Sequence, residues 1–438
     1  MVRQGARSQP LGRGLAVTFA CLVAPFLFPA CGSNRGPEDA APSQVDTMVP
    51  YLDGPVFIEP NLDAKAGQGG GSLCDASAQC LSGACTLGQC SDWAHAMRID
   101  IDTTRSGTDI PEAVSQFPLL VRLNATNFPF HQARRDGADI RFLDAMANTL
   151  DYQIESWDQD GEAADLWVLV PRIEGNTRDN AIFLYWGNPL STPVSSGPAV
   201  FGDDAFVFHM GIDANRITTQ LADASGHDNT GTVQSQSGGD LRGEGISGAG
   251  LALDGNSIVT TTAKPTAPQP MTLSIWLKTT SRSGGGIAGF DSKPRSNDGL
   301  QDRSIAMNRD GTISFSMLRQ GARATLTSLA RYNDGVWHLI AARFSQSGQY
   351  LFIDGEAVAD DPTMNQADNY LGYWRLGEEP GPPVQSGNSD AGVASSNYIS
   401  ANLDEASVNT RELSDAWIKL AYATQRPGAT ALVFSAQN

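Results

Sequence analysis

Pairs of carboxylates at short spacing are the residues that could carry acid–base chemistry in this chain. Cleavage of a glycosidic bond with retention needs two carboxyl groups about 5 Å apart. Asp354 and Glu356 have the spacing that shares one strand face, but Gly355 between them indicates a turn. Asp404 and Glu405 are adjacent, and adjacent strand residues point to opposite faces. The G-x-S-x-G and H-E-x-x-H motifs of hydrolases do not occur either, so we predict no catalytic residues and no enzymatic activity.

Aromatic side chains in the segment NYLGYWRLGEEPG offer a different chemistry, the recognition of a sugar ring. Tyr370, Tyr373 and Trp374 could present a flat apolar face, and Arg375 could orient a ligand by hydrogen bonding. We predict these four residues as a ligand-binding set. Because strand residues alternate between faces, Tyr373 and Trp374 cannot both point outward. Packing in the core is therefore the alternative, above all for Trp374.

Four cysteines lie close together, at Cys74, Cys80, Cys85 and Cys90. Four thiolates can bind zinc, but zinc ribbons favour C-x2-C pairs and a reducing compartment. The observed spacing, C-x5-C-x4-C-x4-C, instead favours two disulfides in one of three pairings. We predict a disulfide knot at residues 74–90, which is too small to be held by a hydrophobic core.

The balance of charge excludes one class of partner. The chain carries 30 Lys and Arg against 48 Asp and Glu, a formal net charge of −18. Binding to nucleic acid needs clustered cations and is disfavoured. An acidic surface suits an exported protein and leaves carboxylates available for divalent cations.

The beginning of the sequence has the pattern of a secretory signal. Arginines precede an apolar run at residues 15–30, which contains two prolines and is shorter than the roughly 20 residues of a spanning helix. Its end, LFPACGSN, resembles the lipobox of bacterial lipoproteins, with Phe28 where that family usually has Leu. The resemblance implies removal of residues 1–30 and a lipid on Cys31 that anchors the protein to the bacterial cell envelope, at the outer membrane or cell surface. An ordinary signal peptide is the alternative, and residues 31–73 have the composition of a flexible tether.

From residue 91 the sequence reads as short strands. MRIDID and FPLLVRLN alternate apolar and polar residues, whereas ADLWVLVP and AIFLYWGNP are apolar on both faces. This pattern predicts a β-sandwich over residues 91–198. Its DIRF, E-x-W and YWGNP segments resemble a bacterial domain of unknown function that commonly precedes laminin G-like modules in secreted proteins. That family implies no established activity.

The segment DGVWHLIAARFSQSGQYLFIDGE, residues 334–356, predicts a strand, a turn, a second strand and an Asp-Gly hairpin turn. With GLALDGNSIV, MTLSIWLKT and the late NLDEASVNTRELSDAWIKLAYATQ, it resembles laminin G-like, concanavalin A-like jelly rolls over residues 200–438. A short helix capped by Ser414 is expected near the end. The predicted fold class is thus all-β: a β-sandwich followed by a jelly roll, with the knot before them.

The jelly-roll resemblance also implies a cation site. The Asp223–Asp228 segment DASGHD resembles the D-x-S-G loop of these modules, and Asp404-Glu405 resembles their late Asp-Glu pair. The first and last strands of a jelly roll can lie side by side, so Asp223, Asp228, Asp404 and Glu405 could meet and offer Ca²⁺ the oxygen ligands it prefers. The alternative is that Asp223 and Asp228 shape an Asx turn, while Asp404 pairs with Arg411 or a backbone N–H.

These observations together predict a surface-exposed lipoprotein with a non-catalytic role. Recognition of a glycan or an extracellular protein through the jelly roll is the expected function, with contact to the membrane through the lipid only. An architectural spacer of the cell envelope and a glycan-cleaving enzyme are the alternatives.

Overall fold

The computed structural model describes residues 85–86, 89–211, 220–235, 240–294, 299–378 and 397–436. Cys31, Cys74, Cys80, the signal segment and the tether lie outside this range, so the predictions made for them are not addressed by it. Strands dominate the described residues, which confirms the all-β class and the two sandwiches. No helix in these ranges is long and apolar enough to cross a membrane.

A small ladder precedes the first sandwich. Strands β1 (Cys85–Thr86) and β2 (Gln89–Cys90) are antiparallel, with Cys85 opposite Cys90 in the backbone register. The first sandwich follows, with strands β3 (His95–Ile101), β4 (Val114–Asn124), β5 (Arg141–Asp144), β6 (Thr149–Leu150), β7 (Tyr152–Asp158), β8 (Ala163–Ile173) and β9 (Asn180–Trp186). A 3-10 turn at Phe130–Gln132 lies between β4 and β5.

Alternation places the apolar residues of these strands between two sheets. One sheet has the order β3-β9-β5-β6 and the other the order β4-β8-β7. Met97, Ile99 and Ile101 of β3 are buried in the core, while Arg98 and Asp100 pair with each other on the opposite face at 2.6 Å. The two-residue period of the sequence therefore fixes which face of β3 is buried.

The jelly roll begins after helix α1 (Gly197–Phe201). Its strands are β10 (Asp204–Phe208), β11 (Gln220–Leu221), β12 (Gly231–Ser235), β13 (Arg242–Glu244), β14 (Ala249–Asp254), β15 (Ser257–Thr261), β16 (Met271–Lys278), β17 (Gly285–Asp291), β18 (Gln301–Met307), β19 (Ile313–Arg319), β20 (Ala322–Thr327), β21 (Trp337–Ser345), β22 (Gly348–Ile353), β23 (Glu356–Asp361), β24 (Tyr373–Leu376) and β25 (Ser400–Asn409). Helix α2 (Asp415–Gln425) and strand β26 (Leu432–Phe434) follow.

Two antiparallel sheets enclose the jelly-roll core. In the described ranges, the first sheet has the order β13-β14-β25-β16-β21-β22-β23, and β10 also pairs with β25. The second has the order β11-β12-β15-β24-β17-β18-β19-β20. Phe206, Phe290, Phe315 and Trp374 are buried between the sheets and are among the largest fully buried side chains.

The hairpin predicted from the Asp-Gly pair is present. Asp354 and Gly355 have φ values of 54° and 84° and join β22 to β23, as a type I′ turn requires. A Cβ atom on Gly355 would lie 3.0 Å from the Cα atom of Lys419 in α2, so glycine is needed there for space as well as for φ. His338 lies between Asp354 and Asp334 at 2.7 and 3.1 Å, which gives it a structural role in this hairpin.

Helix α2 packs against both sandwiches. It begins where predicted, with the Ser414 hydroxyl accepting the backbone N–H of Trp417 at 3.1 Å. Leu420 and Ala421 enter the core of the first sandwich. Ile418 instead joins an apolar cluster with Phe352 of the jelly roll.

Strand β26 returns to the first sandwich. It pairs with β3, so that Leu432 is opposite Ile101 and Phe434 is opposite Ile99. The sequence interpretation assigned all of residues 200–438 to the jelly roll. The structure differs because the edge of β3 offers free backbone groups that β26 satisfies.

Candidate functional site

A buried polar cluster lies where the two sandwiches meet. We call it the junction cluster; it consists of Glu155 on β7, His209 directly after β10, and Glu405 on β25. Nδ1 of His209 is 2.9 Å from Oε1 of Glu405 and 3.7 Å from Oε2 of Glu155. One potential ligand atom from each residue lies within 4.8 Å of the other two. Among the described residues, this is the group of three or more such side chains that could hold a metal ion.

A β-bulge brings Glu405 to this position. Ser274 of β16 is opposite Ser407, but Trp276 is opposite Asp404, so β25 contains one extra residue in this interval. Glu405 has a φ of 48°, the left-handed backbone that a bulge accommodates. The expectation that Asp404 and Glu405 point to opposite faces is therefore wrong, because simple alternation does not hold across a bulge.

Asp404 adjoins the junction cluster and is fully buried. Its Oδ2 accepts the backbone N–H groups of Ile246 at 2.7 Å and Ser247 at 3.1 Å. Its Oδ1 has no hydrogen-bond partner in the part of the chain that the structure describes. Burial, and then the negative charges of Glu405 and Glu155, raise the pKa of Asp404 well above its ordinary value.

The side chains around Glu155 and His209 fix their orientation. The Oε2 atom of Glu155 accepts the indole N–H of Trp167 at 2.7 Å and the hydroxyl of Ser247 at 2.8 Å. Nε2 of His209 is 3.3 Å from Oε1 of Gln153, and its ring stacks on Trp167 with centroids 5.8 Å apart. The cluster is thus held by residues from both sandwiches.

Burial and neighbouring charges together raise the pKa values of Glu155 and His209. Desolvation, reinforced by the charge of Glu405, raises the pKa of Glu155 to about 7. Burial alone would lower the pKa of His209, but the charge and hydrogen bond of Glu405, together with the charge of Glu155, raise it to about 9. At neutral pH the imidazole is therefore a cation between two carboxyl groups.

The burial of this carboxyl pair does not match the arrangement of the two carboxyl groups in a retaining glycosidase. Only 8% of the side chain of Glu155 and 6% of that of Glu405 are exposed. Retaining glycosidases place two carboxyl groups on either side of a scissile bond, which requires a groove open to the sugar. A sugar ring cannot approach these two groups from solvent.

The structure does not assemble the four predicted calcium ligands. Oδ1 of Asp223 accepts the backbone N–H groups of Val207 and Ser225, and its Oδ2 accepts that of Asn229. Asp223 therefore shapes an Asx turn, and Asp228 is exposed with a φ of 56°. Only Asp404 and Glu405 come together, at the junction, because the oxygens of Asp223 are already engaged by its own loop and by β10.

The predicted aromatic platform also requires correction. Trp374 is fully buried and packs edge-on against Phe290. The hydroxyl of Tyr370 donates to Oδ1 of Asp302 at 2.9 Å, and its ring also packs against Phe290. These two residues belong to the core or its margin, as the alternative from strand alternation allowed.

Arg375 lies in a buried ion-pair network. Its Nη1 donates to Oδ2 of Asp291 at 2.8 Å, and its Nη2 pairs with Glu378. All three side chains are almost completely inaccessible. Direct contact of Arg375 with a ligand is therefore excluded in this structure. The network instead holds together the strands on which Arg375 and Asp291 lie.

Tyr373 and Tyr370 are both partly exposed, but Tyr373 is the one that lies on a strand and points away from the core. It alternates with Trp374 and so points away from the core, and the ammonium of Lys264 lies 5.6 Å from its ring centre. Hydroxyls from neighbouring strands lie on the same side of the sheet. We call this the outer polar face and define its accessible part by Tyr373, Arg323 and Thr325, beneath which Ser304, Ser316, Asp291 and Arg375 are buried.

Hydrogen bonds connect the outer polar face across the strands. The hydroxyls of Ser316 and Thr325 are 2.9 Å apart. Arg323, which is exposed, donates from Nη1 to the hydroxyl of Ser304 at 3.3 Å. The accessible part of the face thus combines the Thr325 hydroxyl with an exposed guanidinium and a partly exposed aromatic ring, above the buried hydroxyls of Ser304 and Ser316.

The chain is similar to solved structures of botulinum neurotoxin binding domains. It is 15% identical to the serotype D ligand-binding domain in complex with N-acetylneuraminic acid, covering 52% of each chain with a TM-score of 0.34. It is 13% identical to the binding domain of botulinum neurotoxin DC in complex with rat synaptotagmin II, covering 52% of this chain and 53% of that one with a TM-score of 0.36. The type G receptor-binding domain is 12% identical, with 50% of each chain covered and a TM-score of 0.33. The chain spans about half the length of these structures.

Family models match two parts of the sequence. Residues 136–216 match a model described as a domain of unknown function (DUF2341). Residues 253–419 match a model described as the concanavalin A-like lectin/glucanases superfamily. No curated protein matches the chain. The protein therefore contains a DUF2341 domain followed by a laminin G-like, concanavalin A-like domain.

Proposed function

We propose that this protein is a lipid-anchored component of the bacterial cell envelope that binds a glycan or an extracellular protein through its jelly roll, without catalysing a reaction. The observation that carries the proposal is the outer polar face, where Tyr373, Arg323 and Thr325 are accessible on the side of the sheet that does not form the core.

The chemistry of this face suits a polar, uncharged ligand. Hydroxyls both donate and accept hydrogen bonds, as the hydroxyls of a sugar do, and a tyrosine ring can stack on the apolar face of a pyranose. The ion pairs that Arg375 makes with Asp291 and Glu378 hold neighbouring strands together beneath the ligand. A face that is already ordered loses little conformational entropy when a ligand binds.

A screen of the chain against immobilised glycans and extracellular proteins tests the proposal. Tyr373→Ala and Arg323→Ala should each weaken binding of any ligand found by roughly tenfold, a change of about 1.4 kcal/mol. Tyr373→Phe, which keeps the ring, should bind like wild type, and Leu329→Ala, a substitution at an exposed residue outside the face, is the matched control. Absence of any ligand would favour an architectural spacer, and equal binding by all variants would place the site elsewhere.

Lipid anchoring at Cys31 is the part of the proposal that rests on the sequence alone. Mass spectrometry of protein isolated from bacterial membranes should find a lipidated N-terminal cysteine and no residues 1–30. A mature protein that begins at another position would contradict it.

The disulfide knot belongs to the same exported context. Thiol titration of the denatured, unreduced protein, with residues 1–31 removed, should find no free thiol at Cys74, Cys80, Cys85 or Cys90. Four titratable thiols with bound zinc would instead support a metal knot.

A further inference from the structure

We infer that the junction cluster of Glu155, His209 and Glu405 binds one divalent transition-metal ion, of which Zn²⁺ is the representative. This ion would link the two sandwiches. Glu155 comes from the first sandwich, and the other two ligands come from the jelly roll. The inference does not depend on the ligand-binding role of the outer polar face.

The distances in the cluster are close to those of a metal site. Zinc binds His nitrogen and carboxylate oxygen at about 2.0–2.2 Å, so tetrahedral ligand atoms lie roughly 3.3 Å apart. The separations of His209 Nδ1 from the oxygens of Glu405 and Glu155, 2.9 and 3.7 Å, fall on either side of that value. All three ligand atoms lie within 4.8 Å of one another, so adjustment of the side chains would place them around one ion.

The donor set favours a transition metal over calcium. Calcium takes oxygen ligands, whereas an imidazole with two carboxylates suits zinc and its neighbours. Oε1 of Gln153 lies 3.3 Å from Nε2 of His209, where it can accept that N–H and leave Nδ1 as the ligand atom. Trp167 and Ser247 both donate to Glu155, the type of outer contact that orients a ligating carboxylate.

Asp404 supplies an independent observation that points to a ligand. It is fully buried beside the cluster, yet its Oδ1 has no hydrogen-bond partner among the described residues. A buried carboxylate oxygen without a partner costs free energy that a cation, or water bound to a cation, would offset.

Binding involves no redox change. The ion displaces the proton that His209 shares with Glu405 and the proton on that fraction of Glu155 which is protonated, and these protons are released to solvent. Two Glu–metal bonds and one His–metal bond form, and the hydrogen bond between His209 and Glu405 is lost. Zinc affinity should therefore weaken as pH falls.

Zinc titration of the chelator-treated full chain by isothermal calorimetry tests the inference. We expect one zinc per chain at this site, and a melting temperature raised by about 5 °C at zinc concentrations near 100 times Kd. Glu155→Gln and Glu405→Gln should each weaken affinity at least tenfold. Glu162→Gln and His131→Ala, at exposed residues of the first sandwich, are the matched controls and should bind zinc like wild type.

Cobalt substitution in the wild-type chain separates this site from the cysteines and does not depend on the folding of a variant. Co²⁺ in the junction cluster should give visible absorption without a thiolate-to-cobalt charge-transfer band. A thiolate band alone, calcium binding without zinc binding, full affinity in both glutamine variants, or no bound metal would each overturn the inference. If no metal binds, the junction cluster is a group of side chains that share a proton and has no metal-binding role.

Discussion

Substitution of Leu420 by alanine should destabilise both sandwiches together. Leu420 is fully buried on α2, in the apolar cluster of the first sandwich that also contains Trp276 and Trp337 of the jelly roll. Truncation of a buried leucine to alanine costs about 3–5 kcal/mol, because apolar contacts are lost and a cavity remains. That is a large part of the roughly 5–15 kcal/mol by which folded domains are stable.

The position of α2 predicts that both sandwiches lose stability when Leu420 is truncated. The same helix presents Ile418 to the jelly-roll sheet, so a disturbance of α2 reaches both cores. Urea unfolding, followed by circular dichroism and by amide hydrogen exchange in β9 and β17, should show one transition that moves to lower urea. Both strands should exchange faster by a similar factor.

Leu329→Ala is the control, because Leu329 is 96% exposed and its loss should change the free energy of unfolding by no more than about 0.5 kcal/mol. The reasoning is refuted if Leu420→Ala unfolds in two separate transitions with the jelly roll unchanged. Faster hydrogen exchange in β9 without faster exchange in β17 would also refute it, because the two sandwiches would then unfold independently.

Two further predictions concern the junction and the cores. In chelator, the free energy of unfolding should fall as pH rises from about 5 to about 9. The folded protein retains protons on Glu155 and His209, whose pKa values are raised to about 7 and about 9, while the unfolded chain releases them nearer 4.5 and 6.5. The free energy of unfolding should fall by up to about 1.4 kcal/mol per pH unit for each retained proton. Glu155→Gln should remove the fall between pH 4.5 and 7. Urea melts in which stability stays flat or rises with pH would contradict this prediction. Trp276→Phe should cost about 1–3 kcal/mol more than Trp374→Phe, because the Trp276 indole donates to Gln425 at 2.8 Å, whereas the Trp374 indole N–H has no partner among the described residues. Both side chains are fully buried, so equal losses in thermal or urea melts would contradict the role given to that hydrogen bond.

Local patterns in the sequence predicted most of the fold. Alternation identified the buried face of β3, the Asp354-Gly355 pair identified a hairpin, and Ser414 identified the start of α2. Each depends on residues within a few positions of one another, where backbone geometry and hydrogen bonding are set locally. The same rule correctly required that Tyr373 and Trp374 point to opposite faces.

The junction cluster could not be predicted in this way. Glu155 and His209 meet only because two sandwiches dock, and a single sequence does not give their relative placement. Glu405 stands out in the sequence beside Asp404, but the extra residue in β25 changes the strand alternation that would otherwise set its orientation. The sequence predicts that Arg375 contacts a ligand, because no local pattern shows that Asp291 and Glu378 neutralise it in the interior.

The pairing of β26 with β3 has a consequence for how the chain folds during synthesis. The N–H of Arg98 is bonded to the hydroxyl of Ser435, 337 positions further along the chain. While the chain emerges, the edge of β3 stays open until that distant segment arrives, and an open strand edge can recruit other chains. Contacts of such long range also slow folding. Delayed or truncated synthesis should therefore promote aggregation through the first sandwich, and a holding chaperone would be most useful at that stage.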